Sequence, residues 1–201
     1  KRYCLWLVNA SPAELRRSKI IMERLRNIKE FREKSPKAAT RQCAETPALF
    51  QEIRQPDCNY LLIPSTSSER RSYVPIGYMD KNAIPSNAVL IIPSASLYHF
   101  GVLTSWVHMV WIRAVCGRLG NAPRYSKDVV YNNFPWPEAD ASAVAAISET
   151  AQAILDARAA YPDSSLADLY DDTLMPPALR RAHRNNDRAV LRAYGFPTND
   201  T

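Results

Sequence analysis

Proline sets the grain of this chain. Fifteen prolines are spread through 201 residues, and each fixes its own φ, removes a backbone donor and turns the preceding residue away from the α region. Long central strands are disfavoured by that spacing, whereas short strands and helices that begin at a proline are favoured. Ser11-Pro12-Ala13-Glu14 joins a capping hydroxyl, a proline at the first helical position and an acid three residues after the cap, a combination that specifies a helix start. From Leu15 onward Met22, Leu25 and Ile28 recur at helical spacing, while Arg16, Arg17, Lys19, Arg24 and Arg26 make the remaining surface cationic. One amphipathic helix ending near Lys34 is therefore expected. Ser35-Pro36 restarts a second, shorter helix, and Thr46-Pro47 a third short turn.

The texture changes at Asn59. Residues 60–63, 73–76 and 89–92 are β-favouring runs separated by Pro64, a polar loop at 65–71 and a turn-like stretch at 82–87. Residues 97–115 read as one buried helix, with Phe100, Leu103, Val107, Val110, Trp111 and Ala114 on one side and Gly117 as its cap. Within it Trp106, His108 and Met109 form a core or subunit-facing stripe before they form a ligand box. A loop at 118–123 and a strand at 124–132 follow, and Phe134-Pro135-Trp136-Pro137 holds an extended exit where a domain boundary is expected. An alanine-rich helix at 141–160 and a last helix at 177–194, stopped by Gly195 before Pro197, complete the chain. The expected class is α+β: a mixed domain over residues 1–137, opened by the basic helix, and a small helical domain over 138–201 that must pack on it.

Composition narrows the chemistry. With 46% hydrophobic and 23% charged residues the chain can bury a core, and its longest apolar run, near residues 88–100, is broken by Pro93 and Ser94, so no membrane span is expected. Lys1 leads straight into a mixed polar segment with no signal-peptide pattern, and the start has the look of an internal one. Cys4, Cys43, Cys58 and Cys116 are scattered, and His99, His108 and His183 lack ligand spacing; free thiols in a reducing compartment and no metal site are expected. The net charge of +6 is uneven: residues 1–41 hold twelve basic and four acidic side chains, residues 42–134 eight and six, residues 135–201 six and ten. That N-terminal field is open to two readings, a surface that steers a polyanion or a solvated helix partly neutralised by Glu23 and Glu30. No GxGxxG, GxxxxGK[ST] or HExxH motif occurs. Asn132-Asn133-Phe134-Pro135-Trp136 lacks the tandem prolines of an amino-methyltransferase loop, and Ser105 with His108 lacks a nucleophile elbow. No turnover is expected of this chain by itself.

A set of ordered motifs points further. Leu61-Ile63-Pro64, Ser67-Ser68-Glu69-Arg70, Tyr73-Val74-Pro75, Leu97-Tyr98-His99-Phe100-Gly101-Val102-Leu103, His108-Met109, Gly117-Arg118-Leu119, Arg124-Tyr125-Ser126 and Val130-Tyr131-Asn132-Asn133-Phe134-Pro135-Trp136-Pro137 are followed by Leu166-Ala167-Asp168-Leu169-Tyr170, Met175-Pro176-Pro177, Leu179-Arg180 and Ala182-His183. In these motifs the chain resembles the MmeI-like family of fused restriction endonuclease and DNA adenine methyltransferase enzymes, over nearly its whole length. The resemblance implies a target recognition domain at 1–137 and a C-terminal helical domain at 138–201. It also implies a parent that binds a short asymmetric duplex sequence, methylates adenine N6 and cleaves at a distance, in a bacterial cytoplasm. S-adenosylmethionine and Mg2+ would belong to methyltransferase and nuclease domains outside this chain. Double-stranded DNA and those domains would be its partners, and bracing the methyltransferase is the alternative role.

Variation between the GRL and RYS motifs in that family suggests Gly120, Asn121, Ala122 and Pro123 as specificity positions. Arg118 and Arg124 bracket them, and guanidinium matches guanine O6 and N7; a salt bridge or phosphate contact is the competing reading for both. Arg70 is a further base-reading candidate, with Glu69 orienting it or accepting from cytosine. Ser67, Ser68 and Arg71 suit phosphate oxygens, which position a protein without carrying sequence information. Lys127, Arg180 and Arg184 complete the phosphate candidates, the last two on a helix made basic by Arg181, Arg188 and Arg192 as well. Tyr98, Phe100, Trp111, Phe134 and Trp136 are expected to organise the core.

Overall fold

A computed structural model of the chain describes residues 3–198, and the chain divides into two compact units, Lys1–Arg54 and Gln55–Thr201. The first unit is helical, with α1 (Pro12–Arg16), α2 (Lys19–Glu33) and α3 (Ala38–Gln42). The capping box forms as expected: Ser11 Oγ accepts from the Glu14 N–H at 3.3 Å and the Ser11 N–H donates to Glu14 Oε2 at 2.7 Å. The single long helix does not form. Ser18 breaks it by accepting from the Ile21 N–H at 3.3 Å and so capping α2, a local bond that competes with helix continuation. Arg32 then ties the far end of α2 to the following turns, donating to the carbonyls of Cys43 (2.7 Å), Thr46 (3.0 Å) and Leu49 (2.8 Å). Ion pairs in this unit, among the described residues, join Lys29 to Glu33 and Glu45 and Arg54 to Glu52, not Glu23 or Glu30.

The second unit begins with three antiparallel strands in the order β2-β1-β3: β1 (Tyr60–Pro64), β2 (Gly77–Met79) and β3 (Val89–Pro93). Leu61 faces Tyr78 on one side and Ile92 on the other, and Pro64 and Pro93 close their strands. Residues 73–76 are not a strand. The Ile76 N–H donates to the Val74 carbonyl at 2.8 Å, a three-residue turn to which the fixed φ of Pro75 is suited, and Tyr73, Val74 and Ile76 enter the core.

The helix expected over 97–115 is two helices, α4 (Leu97–Leu103) and α5 (Trp106–Val115). Ser105 makes the break: its hydroxyl donates to the Val102 carbonyl at 2.7 Å and accepts from the His108 N–H at 3.4 Å. Cys116, in an extended conformation, closes α5, so Gly117 is not its cap and instead opens a hairpin of β4 (Gly117–Leu119) and β5 (Ala122–Arg124) in the segment expected as a loop. The strand expected over 124–132 is a π-helical turn, Lys127–Tyr131, capped by Ser126 Oγ on the Val129 N–H at 3.3 Å and burying Val130. Then come α6 (Ala141–Ala159), α7 (Leu166–Leu169) and α8 (Pro177–Ala193), the last followed by Gly195 at φ +71°. Among the described residues no helix is long and apolar enough to cross a membrane.

Within the second unit α6 and α8 pack on α4, and α8 on α5. A Cβ at Gly101 of α4 would meet Ile147 Cγ2 of α6 at 2.6 Å, so only glycine permits that approach. Burial along α8 includes polar residues, each with at least one partner, though His183 Nδ1 has none among the described residues. Asp187 accepts from Tyr73 Oη at 2.5 Å and from the Trp106 N–H at 2.7 Å. Asn186 donates to the Gly101 carbonyl at 2.8 Å and accepts from Thr150 Oγ1 at 3.1 Å. His183 stacks on Tyr73 and meets Tyr170 Oη at 2.6 Å, and Arg158 donates to the same oxygen and, at 2.8 Å, to the Ile76 carbonyl. Burial pushes Asp187 up to about 6 and holds His183 well below its ordinary range. His108 meets Tyr125 Oη at 3.0 Å and is held down to about 3 by burial. Many of the motif residues thus hold the core together: Phe100, Met109, Tyr125, Phe134, Tyr170 and Met175 are all buried, and Trp111 and Trp136 are partly so.

Candidate nucleic-acid interface

The β4–β5 hairpin exists because Gly120 supplies the left-handed residue that its two-residue turn requires, at φ +61°. Nothing lies within 4 Å of where a Gly120 side chain would begin, so the tip stands in solvent. Leu119, at 62% exposure, stands there with it, and Arg118, Gly120, Asn121 and Arg124 are exposed as well. The Arg118 Nη1 donates to the Asn121 carbonyl at 3.2 Å, across the turn.

The hairpin is rooted on a continuation of β1. Thr66 bridges Arg124, the Ser67 N–H donates to the Pro123 carbonyl at 3.2 Å and the Tyr125 N–H to the Ser65 carbonyl at 2.9 Å. These bonds bring together the two patches that lie fifty residues apart in sequence, 67–71 and 118–124. A cavity of about 170 Å3 lies where they meet, with Ser68, Glu69, Arg71, Arg113 and Arg118 among its polar lining. Ser67 is only 7% exposed and its hydroxyl has no hydrogen-bond partner among the described residues, whereas Ser68 and Arg70 are exposed. Ser68 Oγ accepts from the Arg70 N–H at 3.2 Å, holding the turn.

Sequence reasoning passed over Arg113, which lay within a segment read as apolar. Its Nη2 donates to the carbonyls of Arg71 and Ser72 at 3.3 and 3.2 Å. The far side of the same loop is held by Asp172, which accepts from the Ser72 N–H at 3.0 Å and whose carbonyl takes Arg180 Nη2 at 2.9 Å. A chain of bonds therefore leads from the hairpin root to α8. There Arg180, Arg181, Arg184, Asn185 and Arg188 line a groove of about 410 Å3. Asp187, the sole acid within α8, is turned inward to Tyr73 and Trp106. The outer face of α8 is thus cationic without acids of its own, unlike a helix laced with i,i+4 pairs. Lys127 stands apart from both surfaces' linings and is 3.5 Å from Asp128. Among the described residues no ion pair involves Arg70, Arg71, Arg118, Arg124, Arg180 or Arg184.

Exposed arginines, hydroxyls and a bare hairpin tip form a surface suited to a polyanion with a groove to enter. Comparison with known proteins agrees with that chemistry. The family models described as MmeI, target recognition domain, and MmeI, C-terminal domain, match residues 1–138 and 139–201. Over 193 residues the chain is 39% identical to DNA methyltransferase A of Bacillus subtilis (strain 168), covering 96% of this chain and 22% of that protein. It is 48% identical to a chain in the solved structure of the Type IIL restriction-modification enzyme MmeI in complex with DNA, with a TM-score of 0.95 over 98% of this chain and 26% of that one. The chain spans about a quarter of the length of these relatives. It belongs to the MmeI family, of which it carries the target recognition domain and the C-terminal domain.

Proposed function

We propose that this chain chooses the DNA sequence on which a restriction-modification methyltransferase acts. The hairpin tip enters a groove of the duplex, where Asn121, Ala122 and Arg124 meet base edges, with Gly120 giving the backbone clearance and Arg70 adjoining from the neighbouring loop. Arg71 and Ser68 at the hairpin root, with Arg180 and Arg184 on α8, follow the phosphates and set the register in which the tip reads. Lys127, beside Asp128, is the weakest member of the phosphate set, and Ser67, its side chain buried, acts through the N–H it donates to the Pro123 carbonyl. The observation that carries this reading is the meeting of the 67–71 and 118–124 segments in one exposed, ion-pair-free cationic surface, in a fold shared with a protein solved on DNA.

The intact polypeptide would methylate adenine N6 and cleave at a distance, in the bacterial cytoplasm. S-adenosylmethionine and Mg2+ would be bound by parts of it outside this chain, and no step of that chemistry is assigned to the residues described here. A second reading is favoured for residues 1–54. Ile20 and Phe31, 68% and 76% exposed on α2, are apolar contacts suited to bracing a neighbouring domain rather than to a phosphate backbone.

A methylation-site map of the intact enzyme, repeated after Asn121→Ala and Arg124→Gln, tests the base-reading claim. A motif that changes at particular base positions is the expected result. An unchanged motif with lower activity at every site overturns it.

A further inference from the structure

The two faces of the hairpin are built differently. Directly opposed residues of an antiparallel pair share a face, and neighbours along a strand alternate. Arg118 opposite Pro123 therefore lies on one face, while Leu119 opposite Ala122 and Gly117 opposite Arg124 lie on the other. The two bracketing arginines, which sequence alone treats as equivalent, point opposite ways. Arg118 and Pro123 both line the cavity at the hairpin root; Arg124 does not.

That cavity is crowded with positive charge. Arg71, Arg113 and Arg118 share about 170 Å3 above a floor that includes Met109 and Ile112, and among the described residues no carboxylate is within ion-pair distance of any of them. Like charges gathered over an apolar floor repel more strongly than in open water, and a bound anion offsets that repulsion. The guanidinium groups are also aimed in advance. Arg113 is held by the Arg71 and Ser72 carbonyls and Arg118 by the Asn121 carbonyl, each through a single nitrogen, leaving further N–H donors of the fork for a ligand. Ser68 accepts from the Arg70 N–H and keeps its own O–H to donate. The space is large enough for a tetrahedral oxyanion.

We propose that this cavity is an oxyanion site that seats a single phosphodiester of the DNA backbone, held by Arg71, Arg113 and Arg118 with the Ser68 hydroxyl. The assignment rests on DNA being the partner of the surface, and it moves Arg118 from base reading to anchoring. Glu69, on the cavity lining, opposes the ligand's charge and weakens the hold. A phosphate seated at the hairpin root fixes how deep the tip reaches, so that Arg124 and Asn121 on the other face and the turn meet a defined base step.

The test uses the intact enzyme and duplexes carrying its methylation site, in which one backbone phosphate at a time is replaced by an uncharged methylphosphonate. Arg113→Gln and Arg118→Gln keep a hydrogen-bond donor while removing the charge. Each is expected to weaken cognate and unrelated duplexes alike by about tenfold and to lower the salt slope by about one. At one phosphate position neutralisation weakens the unaltered enzyme but not the Arg113→Gln variant, Glu69→Gln tightens binding, and inorganic phosphate at millimolar concentration competes with duplex only in enzymes with the cavity intact. Unchanged affinity and salt slope in both variants overturn the proposal, as does a changed base preference in Arg118→Gln. If these variants behave as expected while Asn121→Ala and Arg124→Gln leave the motif unchanged, the phosphate site stands and the base-reading assignment falls.

Discussion

Helix α8 and the β4–β5 hairpin both carry arginines outward, yet they are held in opposite ways. The inner face of α8 buries Leu179, His183, Asn186, Asp187 and Val190, and its polar groups bond to Tyr73, Trp106, Gly101 and Tyr170. The hairpin buries none of its residues, and among the described residues its backbone bonds to the rest lie at its root. The arginines of α8 consequently occupy positions set by the core, whereas the hairpin tip can change its side chains without disturbing any packing. The fold fixes where the arginines of α8 stand and leaves the hairpin tip free to vary.

The sharpest way to break that contrast is to make one substitution in both regions. Leu179→Ala, at a fully buried site of α8, is expected to cost about 3 kcal/mol in urea unfolding of the chain, from lost burial and the cavity left behind. The core network also predicts how stability responds to acid. His108, held down to about 3, and His183, held well below its ordinary value, contribute stability that is present above about pH 6.5 and lost as pH falls through their folded values. Asp187, raised from 3.8 to about 6, works in the other direction, its contribution being present below 3.8 and lost as pH rises through 6. Two groups outweigh one, so the thermal midpoint should fall between pH 6.5 and 4, and Asp187→Asn should steepen the fall. A midpoint whose pH slope is unaltered by Asp187→Asn would remove the protonated carboxyl from the account.

Smaller effects belong to the outer surfaces. Gly120→Ala is expected to cost about 1 kcal/mol through its left-handed φ, and Gly120→Asn less; equal costs would mean that the turn rearranges. Arg181→Gln and Arg184→Gln should each weaken all duplexes several-fold and lower the salt slope by about one without changing the methylation motif. A shifted motif would place α8 among the readers. Last, Leu119→Ala should change unfolding by less than about 0.5 kcal/mol. A cost near that of Leu179→Ala would show that the hairpin tip is packed after all.

Much of this architecture was legible where the signal is local. The starts at Ser11-Pro12 and Pro177 and the stop at Gly195 came from capping chemistry that needs only adjacent residues. The break between α4 and α5 was hidden, because an apolar run looks the same whether or not Ser105 turns back to cap the next helix. Val129, Val130 and Tyr131 carry β propensity but sit in a π-helical turn that buries Val130 beside the Trp111 indole, whose N–H bonds to the Val130 carbonyl at 2.9 Å; tertiary contact overrides propensity there. At the candidate site the sequence shows both patches but not their meeting, since pairing across fifty residues leaves no local trace. Arg113 was missed for a related reason: an arginine on an apolar helix reads as an exception until the loop it holds is seen.

Alternation along the hairpin has a consequence for how such proteins diversify. Arg118 and Leu119 are adjacent residues, yet they face different surroundings. With the roles proposed above, a lineage that changes every second position of this ribbon would acquire a new target sequence while inheriting its hold on the duplex intact. A single-residue insertion at the tip, by contrast, would lengthen the turn and leave both faces in place, because the bonds at the root fix the two strands from the other end.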